Sequence, residues 1–254
     1  MELAVADRVV LVTGATGGIG REIARAFAAE DARVLVGYHS KEREAVELAE
    51  ELGAAKGRAR AVRYALTEPE RTLDELAAAG DGWADIDVLV TSAVRMMATR
   101  RAPGVRFEDV PVEDWEPVVQ QNLAPTVRLA QLVVPGMRRR GWGRIALLSS
   151  HVAVDGHRGQ EFYGAAKSGL HGFARSLAWD TGADGILVNV VCPGLTLTER
   201  ALTGLPAAVR EQESARTASG RLSAPADVAN AVLFVCSGAN GNITGEVLTV
   251  AGGR

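Results

Sequence analysis

Short uninterrupted runs of Val, Leu and Ile alternate along the chain with longer stretches in which apolar residues recur every three or four positions. The runs at 8–13 (RVVLVT), 33–36, 60–64, 87–91 (DVLVT), 144–149 (RIALLS), 186–191 (ILVNVV) and 247–250 predict strands, and because they are apolar without alternation both faces of each are expected to be covered. The stretches 21–30, 41–52, 68–79, 113–139, 160–181 and 225–237 predict helices. Parallel strands can be joined only by crossovers, so this alternation implies a parallel sheet with helices on both faces. The expectation is a Rossmann-like, doubly wound α/β fold of seven strands, forming a single domain over residues 1–254. No internal repeat, low-complexity tract or linker divides it. The least regular stretch is 195–222, between the sixth strand and the last helix. An excursion of that length suggests a lid or substrate-binding loop, and its PAAVREQESARTAS portion suits one or two short helices.

Composition narrows the classes further. The chain has 254 residues, 47% of them hydrophobic and 23% charged, which is ordinary for a globular protein with an ample core. A net charge of −3 without a basic stripe gives nucleic-acid binding little to rest on. No uncharged apolar run reaches the length of a membrane span, and MELAVADR lacks a signal peptide's layout. Two cysteines, Cys192 and Cys236, are too few for a disulfide framework, so reduced thiols in a cytoplasmic protein are expected.

Two clusters carry candidate chemistry. The first predicted strand runs into Thr13-Gly14-Ala15-Thr16-Gly17-Gly18-Ile19-Gly20 and then straight into a helix. Glycines permit a tight turn and close approach of a pyrophosphate, and the helix N-terminus offers unpaired N–H groups with positive potential. Placed in a first βαβ unit, the cluster reads as a dinucleotide site. In Tyr163-Gly164-Ala165-Ala166-Lys167, a phenol and an ammonium stand at i and i+4, one turn apart on one helix face. A nearby cation favours phenolate, so Lys167 is expected to lower the Tyr163 pKa toward the working range for proton transfer at a carbonyl oxygen.

The spacing T-G-x-x-x-G-x-G resembles the cofactor loop of the short-chain dehydrogenase/reductase family, and the resemblance runs along nearly the whole chain. Ser150 stands thirteen residues before Tyr163, matching the family's Ser-to-Tyr spacing better than its neighbour Ser149. Asn122 occupies the place of the family's catalytic Asn. The resemblance implies that Tyr163 donates the proton and that Ser150 hydrogen-bonds the substrate oxygen. It assigns Lys167 to the nicotinamide ribose and to lowering the Tyr163 pKa, and gives Asn122 a water in a proton relay. Pro125 cannot bond the Gln121 carbonyl, so a kink beside Asn122 is expected there. Pro193-Gly194-Leu195-Thr196-Leu197-Thr198 matches the P-G-x-x-x-T segment that contacts the nicotinamide carboxamide and phosphates in the family. Cys192 reads as apolar packing. His151 and His157 lack the further ligands of a zinc site and read as loop residues or as lining of the substrate entrance.

After the second strand, Tyr38-His39-Ser40-Lys41 stands where NAD-using relatives place an acid for the adenosine ribose. With no acid to repel a 2′-phosphate, and with His39, Ser40 and Lys41 as donors, NADP(H) is favoured over NAD(H). Gly17, where many NADP-using relatives carry a basic residue, argues the other way. Three motifs depart from the family. Thr91-Ser92-Ala93-Val94 replaces Asn-Asn-Ala-Gly, with Val94 narrowing the path beside the adenine ribose. Ala65 replaces an Asp that contacts the adenine amine, leaving that work to the backbone around Leu66. Val250-Ala251-Gly252-Gly253 replaces V-D-G-G.

The pattern most resembles the 3-oxoacyl-acyl-carrier-protein reductase branch, which also includes polyketide ketoreductases. The irregular adenine-side motifs favour an NADPH-dependent ketoreductase of polyketides or other secondary metabolites. A fatty-acid 3-oxoacyl reductase, an alcohol dehydrogenase working oxidatively, and a non-catalytic NADP-binding sensor are the alternatives. An acyl-carrier protein would need a basic patch, for which Arg95, Arg100, Arg101 and the run 138–140 are candidates that equally suit a solvated face. The family implies a homotetramer or homodimer through the two long helices and the last strand.

Overall fold

The computed structural model describes residues 2–95 and 100–254. Strand β1 (Val9–Thr13) leads into α1 (Gly18–Ala29), β2 (Arg33–Tyr38) into α2 (Glu42–Glu51), and β3 (Ala59–Arg63) into α3 (Pro69–Ala79). Then come β4 (Val88–Thr91), α4 (Val112–Arg140), β5 (Gly143–Leu148), the short α5 (Val152–Asp155) and α6 (Glu161–Thr181). Strand β6 (Ile186–Pro193), helices α7 (Glu199–Gly204), α8 (Ala207–Ala215) and α9 (Pro225–Val235), and β7 (Val247–Val250) complete the chain. No helix among the described residues is long and apolar enough to cross a membrane.

All seven strands pair in parallel, in the order β3-β2-β1-β4-β5-β6-β7. The twofold period of a strand divides each apolar run between two cores. Val10, Val12, Val34 and Val36 join Ile23, Phe27 and Val232 of the α1/α9 layer. Leu11, Leu35, Leu89 and Leu147 join Leu129, Met137 and Leu170 of the α4/α6 layer. The order reverses between β1 and β4, which opens a crevice beyond their C-terminal ends, where ligands of such sheets bind.

The seven strands and six long helices lie where the hydrophobic pattern places them, with three differences. Helix α1 begins at Gly18, inside the glycine-rich turn, because backbone N–H groups and not side chains fix its start. Strand β5 ends at Leu148, one residue before Ser149. Helix α5 is too short to show a period and goes unpredicted. The 195–222 excursion does contain two short helices, α7 and α8. Its far end is tied to the segment after β7, since Ser219 N donates to Gly252 O at 2.9 Å and Arg254 pairs with Glu213 of α8.

Candidate active site

The strand ends bring the singled-out residues to one edge of the sheet. Thr13 closes β1, Tyr38 closes β2, Thr91 closes β4, Ser150 follows β5 and Pro193 closes β6. Between β1 and α1 the chain turns at Gly14, whose φ of +66° is the left-handed conformation that glycine adopts freely. A Cβ there would lie 2.9 Å from the backbone of Ala93, so the turn after β4 packs directly on it. Thr13 joins the two turns, with Oγ1 accepting from Ala93 N at 3.1 Å. Gly17 is an extended N-cap without a side-chain bond, which leaves the first N–H groups of α1, from Gly18, Ile19 and Gly20, for an external anion. A Cβ at Gly18 would lie 2.7 Å from Thr198, so the cradle is roofed by the start of α7. Those observations fit a dinucleotide phosphate.

Helix α6 supplies the reactive pair. Lys167 is buried, and its Nζ donates to Leu148 O at 2.8 Å. Burial lowers its pKa to about 8. The Nζ lies 5.9 Å from the centre of the Tyr163 ring. Burial pushes the Tyr163 phenol up to about 12, against a smaller opposing pull from the Ser150 hydroxyl. In the free protein the expectation that Lys167 lowers the Tyr163 pKa is not met: loss of hydration sets the direction, and Lys167, turned to the Leu148 carbonyl, is not among the groups that act on the phenol.

The two serines separate cleanly. Ser149 is buried, donates to Lys167 O at 3.1 Å, and lies 2.9 Å from His171 Nε2, so its hydroxyl is committed to the scaffold. Ser150 Oγ accepts from Val152 N at 3.2 Å, which leaves its proton for the Tyr163 phenol oxygen or for a ligand oxygen beside it. Cys192 is buried within 3.5 Å of His171 Nε2. His151 Nδ1 is buried without a partner among the described residues.

The Asn122 amide makes three hydrogen bonds within the protein. Its Oδ1 accepts from Arg95 N at 3.0 Å, while Nδ2 donates to Val118 O at 2.9 Å and to Arg95 O at 3.3 Å. The amide is used in fastening the turn after β4 to α4. Nearby, the Gln121 carbonyl lacks its usual helical partner because Pro125 has no N–H to give it. Helix α4 stays continuous through Pro117, Pro125 and Pro135.

At the adenine end, Tyr38 is buried at the end of β2 and its phenol lies beside Glu42. His39, Ser40 and Lys41 are exposed, with Lys41 paired to Glu44 at 3.5 Å. Arg63 pairs in register with Tyr38, and its charge reaches that phenol. The sequence carries no motif for it; only the pairing of β2 with β3 exposes its place. Ala65 is buried, with Leu66 half-buried beside it, and Ser92, Ala93 and Val94 are half-buried along the β4 turn. Gly194 N donates to Val250 O at 2.9 Å, and Thr196 Oγ1 donates back to Gly194 O at 3.0 Å. Thr198 Oγ1 accepts from Ala201 N at 3.3 Å and caps α7, so its hydroxyl oxygen is partly occupied.

The candidate arginines do not form one patch. Arg138 pairs with Asp180 and Asp184, and Arg140 with Asp85 and Asp87. They sit about 24 Å along α4 from Asn122, whereas Arg95 and Arg101 belong to the active-site loop, where they meet Gln121 and Glu161.

Known proteins resemble this chain in sequence and fold. The family model described as "Enoyl-(Acyl carrier protein) reductase" matches residues 14–254. The 3-oxoacyl-(acyl-carrier-protein) reductase FabG of Escherichia coli K12 is 37% identical over 252 residues, covering 97% of this chain and 96% of its own. The enzyme of the same name from Aquifex aeolicus is 37% identical over 257 residues, covering 100% and 99%. A solved structure described as a short chain dehydrogenase/reductase family protein superposes with a TM-score of 0.83 at 33% identity, over 100% of this chain and 98% of that one. The chain belongs to the short-chain dehydrogenase/reductase family of NAD(P)H-dependent oxidoreductases.

Proposed function

We propose that the protein reduces the ketone of a 3-oxoacyl thioester with NADPH, using Tyr163 as the proton donor. The observation that carries this reading is geometric: the half-buried Tyr163 phenol on α6 has the Ser150 hydroxyl from the end of β5 beside it and the buried Lys167 ammonium one turn away. NADPH supplies the hydride that adds to the carbonyl carbon. As charge grows on the carbonyl oxygen, the Ser150 hydroxyl donates a hydrogen bond and Tyr163 transfers its proton, both donors being preorganised. Lys167 holds the nicotinamide ribose and offers the cation that stabilises the resulting phenolate. The phenolate regains its proton from solvent by way of the Lys167 ammonium and a water held on the Gln121 carbonyl, with Asn122 fixing the loop around it. Gly14, Thr16, Gly17, Gly18, Ile19 and Gly20 take the pyrophosphate; Ser92, Ala93 and Val94 flank the adenosine; Pro193, Gly194, Thr196 and Thr198 take the nicotinamide side.

NADPH is preferred to NADH because no carboxylate stands at position 38 and Arg63 adds a cation there, beside exposed His39 and Ser40. The names of the similar enzymes support a 3-oxoacyl substrate ahead of the secondary-metabolite ketone that the irregular motifs suggest. A carrier protein is the natural donor of such a thioester.

The test is the initial rate of NADPH and NADH oxidation against a panel running from β-ketoacyl thioesters to fused-ring ketones, with Tyr163→Phe alongside. Turnover of acetoacetyl thioesters with NADPH, lost in the variant, is expected. Preference for a fused-ring ketone would move the protein to the secondary-metabolite reading. Tight NADPH binding without turnover of any carbonyl would leave the sensor reading in its place.

A further inference from the structure

The helix that carries Tyr163 starts without a conventional cap. Gln160 is its N-cap residue, and no side chain there bonds the first turn. An uncapped first turn frays, because its N–H groups have no partners in the helix. Tyr163 lies within that turn, so something else must hold it.

The two residues immediately before Tyr163 are both gripped from outside the helix. Glu161 Oε1 accepts from Gly159 N at 3.0 Å and pairs with Arg101 Nη2 at 3.1 Å. Arg101 in turn donates from its backbone N to Gly159 O at 2.6 Å and from Nη1 to Val105 O. The Phe162 ring is sandwiched, with Phe107 at 5.5 Å on one side and Trp115 of α4 at 5.1 Å on the other, tilted by 20° and 11°. Arg101 and Phe107 belong to the loop after β4. The same loop supplies Arg95, whose backbone holds the Asn122 amide.

The ion pair is poorly built for stability alone. It makes a single contact, and both Arg101 Nε and Glu161 Oε2 are buried without partners among the described residues. Buried polar atoms left this way cost free energy, and such pairs are often no better than apolar replacements. What it does provide is direction, since a charge pair and a ring stack together fix both the position and the rotation of one helical turn.

We propose that Arg101 is a positioning residue for proton transfer. Through Glu161, and together with the Phe107–Phe162–Trp115 stack, it sets the first turn of α6 and so aims the Tyr163 phenol. The loop after β4 thereby sets Asn122 and Tyr163 at once. The inference rests on the reading of Tyr163 as proton donor.

The experiment compares Arg101→Gln, Glu161→Gln, the charge-swapped double variant Arg101→Glu/Glu161→Arg, and Tyr163→Phe. It reads kcat and KM with acetoacetyl-CoA and NADPH, thermal midpoint, and amide hydrogen exchange over residues 159–166. A displacement of the phenol by a fraction of an ångström predicts about a tenfold fall in kcat for each single variant. KM for NADPH and the thermal midpoint stay near wild type, exchange in 159–166 accelerates, and the swapped pair recovers part of the rate, because it restores the charge contact but not the bonds to Gly159 N and Val105 O. The proposal is overturned if the single variants keep the wild-type kcat while Tyr163→Phe is inactive. Unaltered exchange in 159–166 overturns it independently of any substrate. A fall in kcat that tracks the thermal midpoint, without recovery in the swapped pair, reduces Arg101 to a structural role. Full turnover by Tyr163→Phe would instead sink the underlying reading.

Discussion

Asp87 and Arg144 lie where the strands begin, Tyr163 and Lys167 where they end, and the two buried pairs are treated in opposite ways. Asp87 accepts from Val9 N at 3.1 Å and Arg140 Nε at 3.0 Å, with Arg8 at 3.6 Å. Arg144 donates to the carbonyls of Gly143, Gly185, Ser237 and Asn240 and lies 4.5 Å over the Trp142 ring. Both of these charges are answered, which is what a scaffold requires. At the other end, Lys167 has three N–H groups and one protein carbonyl, and the Thr91 hydroxyl and His151 Nδ1 are unanswered among the described residues. Incomplete solvation by the protein leaves capacity for a ligand. The contrast separates buried charge that serves stability from buried charge that serves chemistry.

The largest expected effect is at Tyr163. Tyr163→Phe should lower kcat on the order of 10³-fold by removing the general acid, with NADPH affinity and thermal midpoint nearly unchanged. The serines sharpen the contrast within one dipeptide. Ser150→Ala should cost about 10²-fold in kcat, as the loss of one oxyanion donor does. Ser149→Ala should leave kcat within a few-fold and lower stability by about 1 kcal/mol, the worth of its buried hydrogen bonds.

Replacement of the two buried cations by Met should move the thermal midpoint in opposite directions. Arg144→Met strands several carbonyls and should destabilise by on the order of 3 kcal/mol. Lys167→Met relieves an under-solvated charge and should raise the midpoint by a few degrees while abolishing turnover. Equal falls in both variants would erase the distinction drawn here.

The smallest effect is in pH. Lys167 is held at about 8 against a reference of 10.5, so its ammonium is lost as pH rises through about 8, whereas Tyr163 keeps its proton to about 12. The kcat/KM for NADPH should therefore decline above about pH 8, by about tenfold per unit at most. Between about pH 8 and 9, below the range in which the buried Cys236 thiol begins to act with the opposite sign, Lys167 makes the unfolded chain bind more protons than the native one, so stability of the free protein should rise with pH. Urea midpoints measured across that window check the sign.

Much of the fold was legible because it rests on local patterns. Val9–Thr13 and Val88–Thr91 are apolar on both faces, and Pro69 and Gly80 mark the ends of α3 by their backbone preferences alone. The constellation of Ser150, Tyr163 and Lys167 was legible through spacing. What spacing could not convey was the state of those groups. The raised phenol depends on how much water α6 and the neighbouring strands exclude, and the use of the Asn122 amide depends on Arg95, which is distant in sequence. Arg138 and Arg140 read as a basic run, yet their acidic partners lie dozens of residues away. Arg63 gains meaning only from the strand beside it.

Helix α4, with Pro125 and Pro135 in its interior, has a consequence for how the protein comes into being. Proline in a helix interior is disfavoured by about 3 kcal/mol relative to alanine, so this segment has little tendency to coil by itself. It must borrow its shape from α6 and the sheet, the partners it packs against. Because α4 carries Asn122, and with it the anchor of the loop after β4, a nascent or partly folded chain would have no rudimentary version of the reaction centre. Competence would arrive all at once, with the closing of the second core. Reactive side chains would then not operate before the walls that restrain them exist.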